Sequence, residues 1–305
     1  MNPPRISVII PAYNAADTLG AAINSVLAQT AAAQEIIVVD DGSKDETATI
    51  AAGFGGAVRV IRQANGGPAA ARNRAAKEAS GDWFALLDAD DSWLPQKLER
   101  QIAVLAQGNF DPKIGALHSF SGDARGDLDR EPIDFNRLWQ RNRVATTTVL
   151  IRREAFEEAG GFDEDRALIG VEDYNLWLRL AHSGWKFSLC REVLVRYTPA
   201  ANSLTSQTQR FARAELTNAE NIARRLNLPS ADLRGKQTQI NAQYGRDLFY
   251  YRELRAARRM LWIPLRRRPN GKNLFWWLAT FIPPVLLERK RKQNPTALLP
   301  FSPLK

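Results

Sequence analysis

The first hundred residues alternate apolar runs with helix-like stretches, and this alternation constrains the fold more than any other feature. Ile6-Ser7-Val8-Ile9-Ile10 is a continuous β-rich run, as expected of a strand buried on both faces. Similar runs follow at 35–39, 58–61 and 83–87. Helical patterns fall between and after them at 17–29, with Asp17 as N-cap, then at 45–52, 69–79 and 95–106. Strand–helix alternation of this kind predicts right-handed crossovers and an α/β fold, a mostly parallel sheet with helices on both faces. Such sheets bind ligands at the carboxyl ends of their strands. Polar clusters sit at three expected strand ends: Pro11-Ala12-Tyr13-Asn14, Asp40-Asp41-Gly42-Ser43 and Asp88-Ala89-Asp90-Asp91. They are expected along one rim.

The chemistry of these clusters is directional. In Asp88-Ala89-Asp90 two carboxylates stand two residues apart, so an extended chain turns both to one side. Crowded carboxylates repel and favour a bound cation, and hard oxygen ligands suit Mg²⁺ or Mn²⁺ shared with substrate phosphates. Read alone, the pattern is more often that of solvated acids capping a helix, here the one beginning at Pro95. Asp40 and Asp41 can accept hydrogen bonds from a ribose or a base N–H, or simply close an Asx turn at Gly42. Tyr13 can stack on a base. Arg72 and Arg74, on the third helix, can meet phosphate or lie on a solvated face.

The middle of the chain mixes elements. Strands are expected at 146–151 and 193–197, and helices at 154–159 and 171–182. Glu172-Asp173 opens the last of these helices. Acids there are favoured by the helix dipole, and a buried helix would also hold a general base rigidly.

Taken in order, Ser7–Asn14, Val38–Ser43, Leu86–Asp91, Gly160-Gly161-Phe162-Asp163 and Glu172-Asp173-Tyr174-Asn175-Leu176-Trp177-Leu178-Arg179 resemble the family-2 glycosyltransferases with the GT-A fold. The resemblance covers about residues 5–200. It implies an inverting, metal-dependent hexosyltransferase-like enzyme that moves a sugar from a nucleoside-diphosphate donor, UDP-linked, to an acceptor hydroxyl in surface polysaccharide or glycolipid assembly. It implies roles as well. Pro11 and Tyr13 would line the base pocket; Asp41 would bind the base, with Asp40 beside it. Arg72 would contact the nucleotide. Asp88 and Ala89 would lie along the donor, Asp88 and Asp90 would serve the metal, and Asp173 would be the base, with Glu172 holding the acceptor. Many relatives carry a histidine after the strand that here ends near Tyr197. This chain has Thr198-Pro199-Ala200-Ala201-Asn202 instead, which places the weight of metal binding on Asp90 and the donor's phosphates. A non-catalytic nucleotide-binding or scaffold protein on the same fold is the alternative.

Composition separates a second region. Of 42 Lys+Arg and 33 Asp+Glu, 20 and 6 fall in residues 201–305, so the last third is strongly basic and the rest mildly acidic. The expected division is a catalytic domain at 1–204 and a basic, mainly helical region at 205–305. There, 246–263 reads as one helix ended by Pro264. It is followed by Arg266-Arg267-Arg268 and by an apolar stretch at 274–287 carrying Trp276, Trp277 and Phe281. The stretch is too short to span a bilayer, which needs about 20 residues. Aromatic residues beside cationic clusters, Arg289–Lys292 included, suit an anionic membrane surface. No nucleic-acid-binding module is present. The single cysteine, Cys190, excludes an intramolecular disulfide and a two-cysteine zinc motif. The N-terminus shows no secretory leader pattern. The expected location is cytoplasmic, peripheral at the inner face of the membrane.

Overall fold

The computed structural model describes residues 4–107, 111–121, 132–196 and 204–283. The chain forms two compact units, Met1–Ala200 and Ala201–Lys305. Residues 198–202, where many relatives carry a histidine, and the Arg289–Lys292 cluster lie outside the described residues.

The first unit is built on an eight-stranded sheet. Its strands are β1 (Ile6–Ala12), β2 (Glu35–Asp40), β3 (Arg59–Arg62), β4 (Trp83–Leu86), β5 (Ser92–Trp93), β6 (Ile114–Ser121), β7 (Leu150–Arg152) and β8 (Lys186–Arg196), in spatial order β3-β2-β1-β4-β7-β6-β8-β5. β1 pairs in parallel with both β2 and β4, and β2 with β3. β7 enters antiparallel between β4 and β6, β6 and β8 run parallel, and β5 closes the edge antiparallel to β8. The sheet is therefore mixed, with its parallel half in the first hundred residues.

The burial follows the apolar runs. Ile6, Val8, Ile10 and Ala12 point to one side of β1 and pack with Leu19, Ala22, Ile23 and Val26 of α1 (Leu19–Leu27). Ile9, Ile37 and Val39, on the other side, are equally buried. Each such side chain contributes roughly 1.5–3 kcal/mol. α3 (Pro68–Glu78) buries a row of alanines, Ala69, Ala71, Ala75 and Ala76, which lets it lie close on β1 and β2. The parallel register places Ala12 beside Asp40, and Ile9 beside Leu86. The three polar clusters after β1, β2 and β4 therefore emerge at one end of the sheet.

Several boundaries differ from expectation for local reasons. Asp17 does not cap α1: Thr18 precedes it, after a turn in which the Thr18 and Leu19 N–H groups bond the Ala15 carbonyl. α2 (Thr47–Ala52) and α4 (Lys97–Gln107) each begin two residues late. The strand expected at 146–151 opens instead with a 3-10 turn, Thr146–Thr148, before β7. There the Thr148 hydroxyl donates to the Ala145 carbonyl at 2.7 Å, a local bond that competes with the sheet ladder. α5 (Phe135–Gln140), α6 (Arg153–Glu158) and α7 (Glu172–His182) complete the unit.

The second unit is helical: α8 (Leu204–Arg225), α9 (Ser230–Tyr250), α10 (Leu254–Arg267) and α11 (Gly271–Ala279). The single helix expected at 246–263 is broken. Arg252 takes φ 67°, its N–H bonds the Phe249 carbonyl, and the Glu253 N–H bonds the Leu248 carbonyl. This is a Schellman closure with arginine where glycine is usual, so the break carries no glycine signal. Pro264 does not end α10, which runs on to Arg267. Pro264 is buried, and Arg267 ties the last turn to the Arg234 carbonyl at 3.0 Å.

Candidate active site

At the rim, the turns after β1 and β2 are stitched together. The Asn14 N–H donates to Ser43 Oγ at 2.9 Å, and the Lys44 N–H to Asn14 Oδ1 at 2.9 Å. Asn14 itself adopts φ 48° to make this turn. Tyr13 projects beside it, 49% exposed, and Pro11 is half-buried. Gly42, at φ 76°, lets the next loop pass close: a Cβ there would meet the Asn65 backbone nitrogen at 2.9 Å.

Asp40 and Asp41 are both buried but differ in their partners. Asp40 Oδ1 accepts from the Ser43 N–H at 3.0 Å, while Arg62 Nε lies 3.0 Å from Oδ2. Asp41 is gripped by the loop at 63–67. Its Oδ1 accepts from Gln63 Nε2 and the Gly66 N–H, each at 2.8 Å, and its Oδ2 from the Gly67 N–H at 2.7 Å. One lone-pair direction of Oδ2 remains for a further donor. The loop is tethered in turn by Arg166, which donates to the Asn65 carbonyl at 3.0 Å and to its Oδ1 at 2.8 Å.

Arg72 lies at the centre of the arrangement. Its Nη1 donates to Glu172 Oε1 at 2.7 Å and its Nη2 to Asp88 Oδ1 at 2.6 Å. Burial disfavours the guanidinium charge, but Asp88 and Glu172 outweigh it and hold the pKa well above the usual arginine value. Its Nε is buried without a hydrogen-bond partner. Its plane rests over Phe162, 5.3 Å from the ring centroid. Arg74, by contrast, points away and pairs with Glu78 one turn along α3 at 3.1 Å.

The Gly160-Gly161-Phe162 turn that carries Phe162 is clamped from two helices. Asn73 of α3 accepts from the Phe162 N–H at 2.8 Å and donates to its carbonyl at 2.9 Å. Arg179 of α7 donates to the carbonyls of Ala159 and Gly161. Gly161 at φ 69° is needed here, since a Cβ would sit 2.8 Å from Asn73 Oδ1.

α7 presents the two acids of its first turn differently. Glu172 is buried; its Oε2 accepts from the Gly170 N–H at 2.6 Å while Oε1 holds Arg72. Asp173 keeps partial exposure. Its Oδ2 accepts from Thr146 Oγ1 at 2.8 Å and its Oδ1 from the Tyr174 N–H at 2.6 Å. Desolvation of the carboxylate, reinforced by the neighbouring Glu172, pushes Asp173 up to about 6. Below Trp177 and Tyr174 the helix is packed into the core, so both acids stand on a rigid base.

Asp88, Asp90 and Asp91 each offer one oxygen within 4.8 Å of the others, with Ala89 buried between them. Three converging hard oxygen donors fit a small divalent cation. Reading the sequence alone misses Thr146, Asn73 and Arg166, and takes Arg179 only as part of the motif that begins at Glu172. Thr146 is hidden in an apparent strand, and Asn73 and Arg166 sit in unremarkable helical or loop contexts. His118 is buried on β6, in a small pocket with Phe120, Arg143 and Phe187. His182 packs its ring against Phe135 at 5.2 Å.

A sequence model of glycosyl transferase family 2 matches residues 7–160. The chain is 36% identical over 188 residues to an uncharacterized glycosyltransferase of Rickettsia prowazekii; the match spans 58% of each chain, little more than half of the relative's length. It is 31% identical over 206 residues to the Escherichia coli UDP-Glc:alpha-D-GlcNAc-diphosphoundecaprenol beta-1,3-glucosyltransferase WfgD, covering 66% of this chain and 79% of that one. Among solved structures, S. aureus TarS 1-349 in complex with UDP-GlcNAc superposes with a TM-score of 0.60 at 19% identity, over 90% of this chain and 79% of that one. A mannosyltransferase from Pyrobaculum calidifontis in complex with GDP-Man and Mn²⁺ superposes at 0.64 with 20% identity, over 96% and 83%. The fold is the GT-A arrangement with a helical C-terminal region.

Proposed function

This chain belongs to glycosyl transferase family 2, and from that premise we propose that it is an inverting, metal-dependent transferase using a UDP-linked sugar. The observation that carries this reading is the Arg72 bridge. One buried guanidinium joins Asp88, on the acidic cluster, to Glu172, beside Asp173. The groups that would hold a diphosphate and the group that would take a proton are thereby fixed to one another.

The reaction proceeds by a single displacement. The acceptor hydroxyl gives its proton to Asp173 while its oxygen forms a bond to the anomeric carbon; the bond from that carbon to the diphosphate breaks, and the nucleoside diphosphate leaves with the electron pair. A carboxyl group raised to about 6 is ionised at neutral pH yet basic enough to accept a proton. Such a base contributes typically about 10²–10⁴-fold. Thr146 and the Tyr174 N–H orient the carboxylate. Glu172 holds the acceptor side through Arg72. Asp90, Asp88 and Asp91 would hold Mn²⁺ or Mg²⁺, which offsets charge developing on the leaving diphosphate. Arg72 is already engaged by two carboxylates, so its role is mainly to position them. Tyr13 and Pro11 would line the base, with Asp40 and the remaining lone pair of Asp41 close by.

The E. coli relative, by its name, uses UDP-glucose and an acceptor carried on diphosphoundecaprenol. We extend this to a lipid-linked saccharide acceptor for this chain, in surface polysaccharide or glycolipid assembly, with the enzyme peripheral at the cytoplasmic face of the membrane. The test is a panel of UDP- and GDP-sugars, with and without Mn²⁺, read by thermal shift and by NMR of the product's anomeric proton. A UDP-sugar that stabilises with Mn²⁺ and yields the inverted anomer supports the proposal. A retained anomer overturns the single displacement, a response to GDP-sugars alone overturns the donor assignment, and binding without turnover favours a non-catalytic nucleotide-binding protein.

A further inference from the structure

The second unit leaves an apolar face uncovered. α11 turns Trp276, Trp277 and Ala279 inward, against Leu248, Phe249, Ala257 and Leu261 of α9 and α10. On the opposite side Leu274, Phe275, Leu278, Phe281 and Ile282 are exposed, at 39–63% of their surface. At 100° per residue these five fall within one third of the helix circumference, continued through the turn after Ala279. Trp262 of α10, 45% exposed, extends the face, its ring 5.5 Å from that of Trp277, which in turn lies 4.9 Å from Phe281. Arg258 locks Phe281 outward, with its guanidinium carbon 3.7 Å from the ring centroid and Nη2 donating to the Thr280 carbonyl at 2.8 Å.

The charge around this face is of one sign. No Asp or Glu occurs between Glu253 and Glu288, while Arg255, Arg259, Arg266, Arg268 and Lys272 are all exposed. Contiguous exposed apolar surface of this kind marks an interaction site. A protein partner of like composition would be repelled by the cations, whereas an anionic bilayer satisfies both: the headgroups meet the cations, and the aromatic side chains enter the interface. Among the described residues no helix is long and apolar enough to cross a membrane, so the face would lie on the surface.

We infer that the α10–α11 hairpin is a membrane-docking face for anionic lipid, inserting Phe275, Leu278 and Phe281 between headgroups held by the surrounding arginines. The inference gives the lipid-linked acceptor proposed above its place of encounter, but the docking itself needs no donor or acceptor. It is tested with the full chain and vesicles of phosphatidylcholine alone or with phosphatidylglycerol, without substrates. Wild type should co-sediment with the phosphatidylglycerol vesicles, and less so at high salt. The combined variant Phe275→Ser, Leu278→Ser, Phe281→Ser should bind at least about tenfold more weakly, as should Arg266→Gln, Arg268→Gln, Lys272→Gln, while both keep the wild-type melting temperature. Wild type that ignores phosphatidylglycerol, or a serine variant that folds and binds as wild type, overturns the docking face. So does a dimer in sedimentation equilibrium that the serine substitutions dissolve without any vesicle binding. Vesicle binding by a chain that transfers no sugar would refute the transferase proposal and leave the docking face standing; transfer without vesicle binding would do the reverse.

Discussion

In the unit of residues 1–200, Asp40, Asp41, Arg72, Glu172 and Arg179 are buried, while in the unit of residues 201–305 Trp262, Leu274, Phe275, Leu278, Phe281 and Ile282 stand in solvent. Each departs from the ordinary partition of apolar inside and polar outside, in opposite senses. The buried polar groups have partners: two carboxylates for Arg72, three N–H donors for Asp41, backbone carbonyls for Arg179. That satisfaction offsets desolvation and fixes geometry, which suits chemistry between two small substrates. The second unit also buries Lys236, paired with the partly exposed Glu215 at 3.2 Å, but its exposed apolar face has no such closure within the described residues. An interior whose charged groups are paired holds its own geometry, whereas an uncovered apolar exterior points to a partner.

The contrast can be broken most forcefully at Arg72. Arg72→Met leaves Glu172 buried and Asp88 one-third exposed without their cation. We expect turnover to be lost and stability to fall by about 3 kcal/mol, at the low end for a broken buried pair because Asp88 is partly solvated. Urea denaturation measures it, and an unmoved midpoint would show that the bridge holds nothing together. Next is Asp90→Asn, which should weaken Mn²⁺ activation by roughly 10–100-fold, the loss that even an outer partner of a metal site produces. Titrating Mn²⁺ against initial rate reads this, and an unchanged curve would take Asp90 out of the metal site.

Lys97 sharpens the comparison as an exception. It is fully buried, with Gln101 Oε1 at 2.8 Å and the Trp93 ring at 4.0 Å as partners. Burial, only partly opposed by Cys190, lowers it to about 7. The unfolded lysine holds its proton up to about 10.4, so the unfolded state binds more protons between these values and wild-type stability rises with pH across that window. Lys97→Met should be more stable at neutral pH by about 1 kcal/mol and should flatten that rise; melting curves from pH 7 to 10 that keep the wild-type slope would contradict it. The smallest effect is expected at Thr146. Its hydroxyl lowers the Asp173 pKa against the larger upward push of burial and Glu172. Thr146→Val should move the acidic limb of the rate profile up from near 6 by less than about one pH unit, and a limb that stays put would remove Asp173 from that limb.

How legible these regions were follows from the range of their interactions. β1, β2 and β4 announce themselves because strands buried on both faces must be apolar throughout, and parallel pairing then aligns Tyr13, Asp41 and Asp88 at one end. The ordered motifs carried the family as well. The bridge did not show, because Arg72 meets Asp88 across 16 positions and Glu172 across 100, distances to which no periodicity applies. Thr146 looked like part of a strand because β-branched residues serve ladders and local turns equally. In the helical unit, Arg252 hid the break between α9 and α10, since a left-handed residue is usually sought as glycine or asparagine. The cationic and aromatic content was plain, yet which aromatics face out depended on where the helices end.

The most direct test of the central claim is Asp173→Asn, measured beside wild type for UDP-sugar binding by calorimetry and for UDP release with acceptor present. The amide keeps the shape of the carboxylate but takes no proton, so the account predicts binding within about twofold of wild type and turnover lower by about 10³-fold. Turnover preserved in this variant would contradict it, because the Arg72 bridge would then be fixing the helix turn of an acid the reaction does not use.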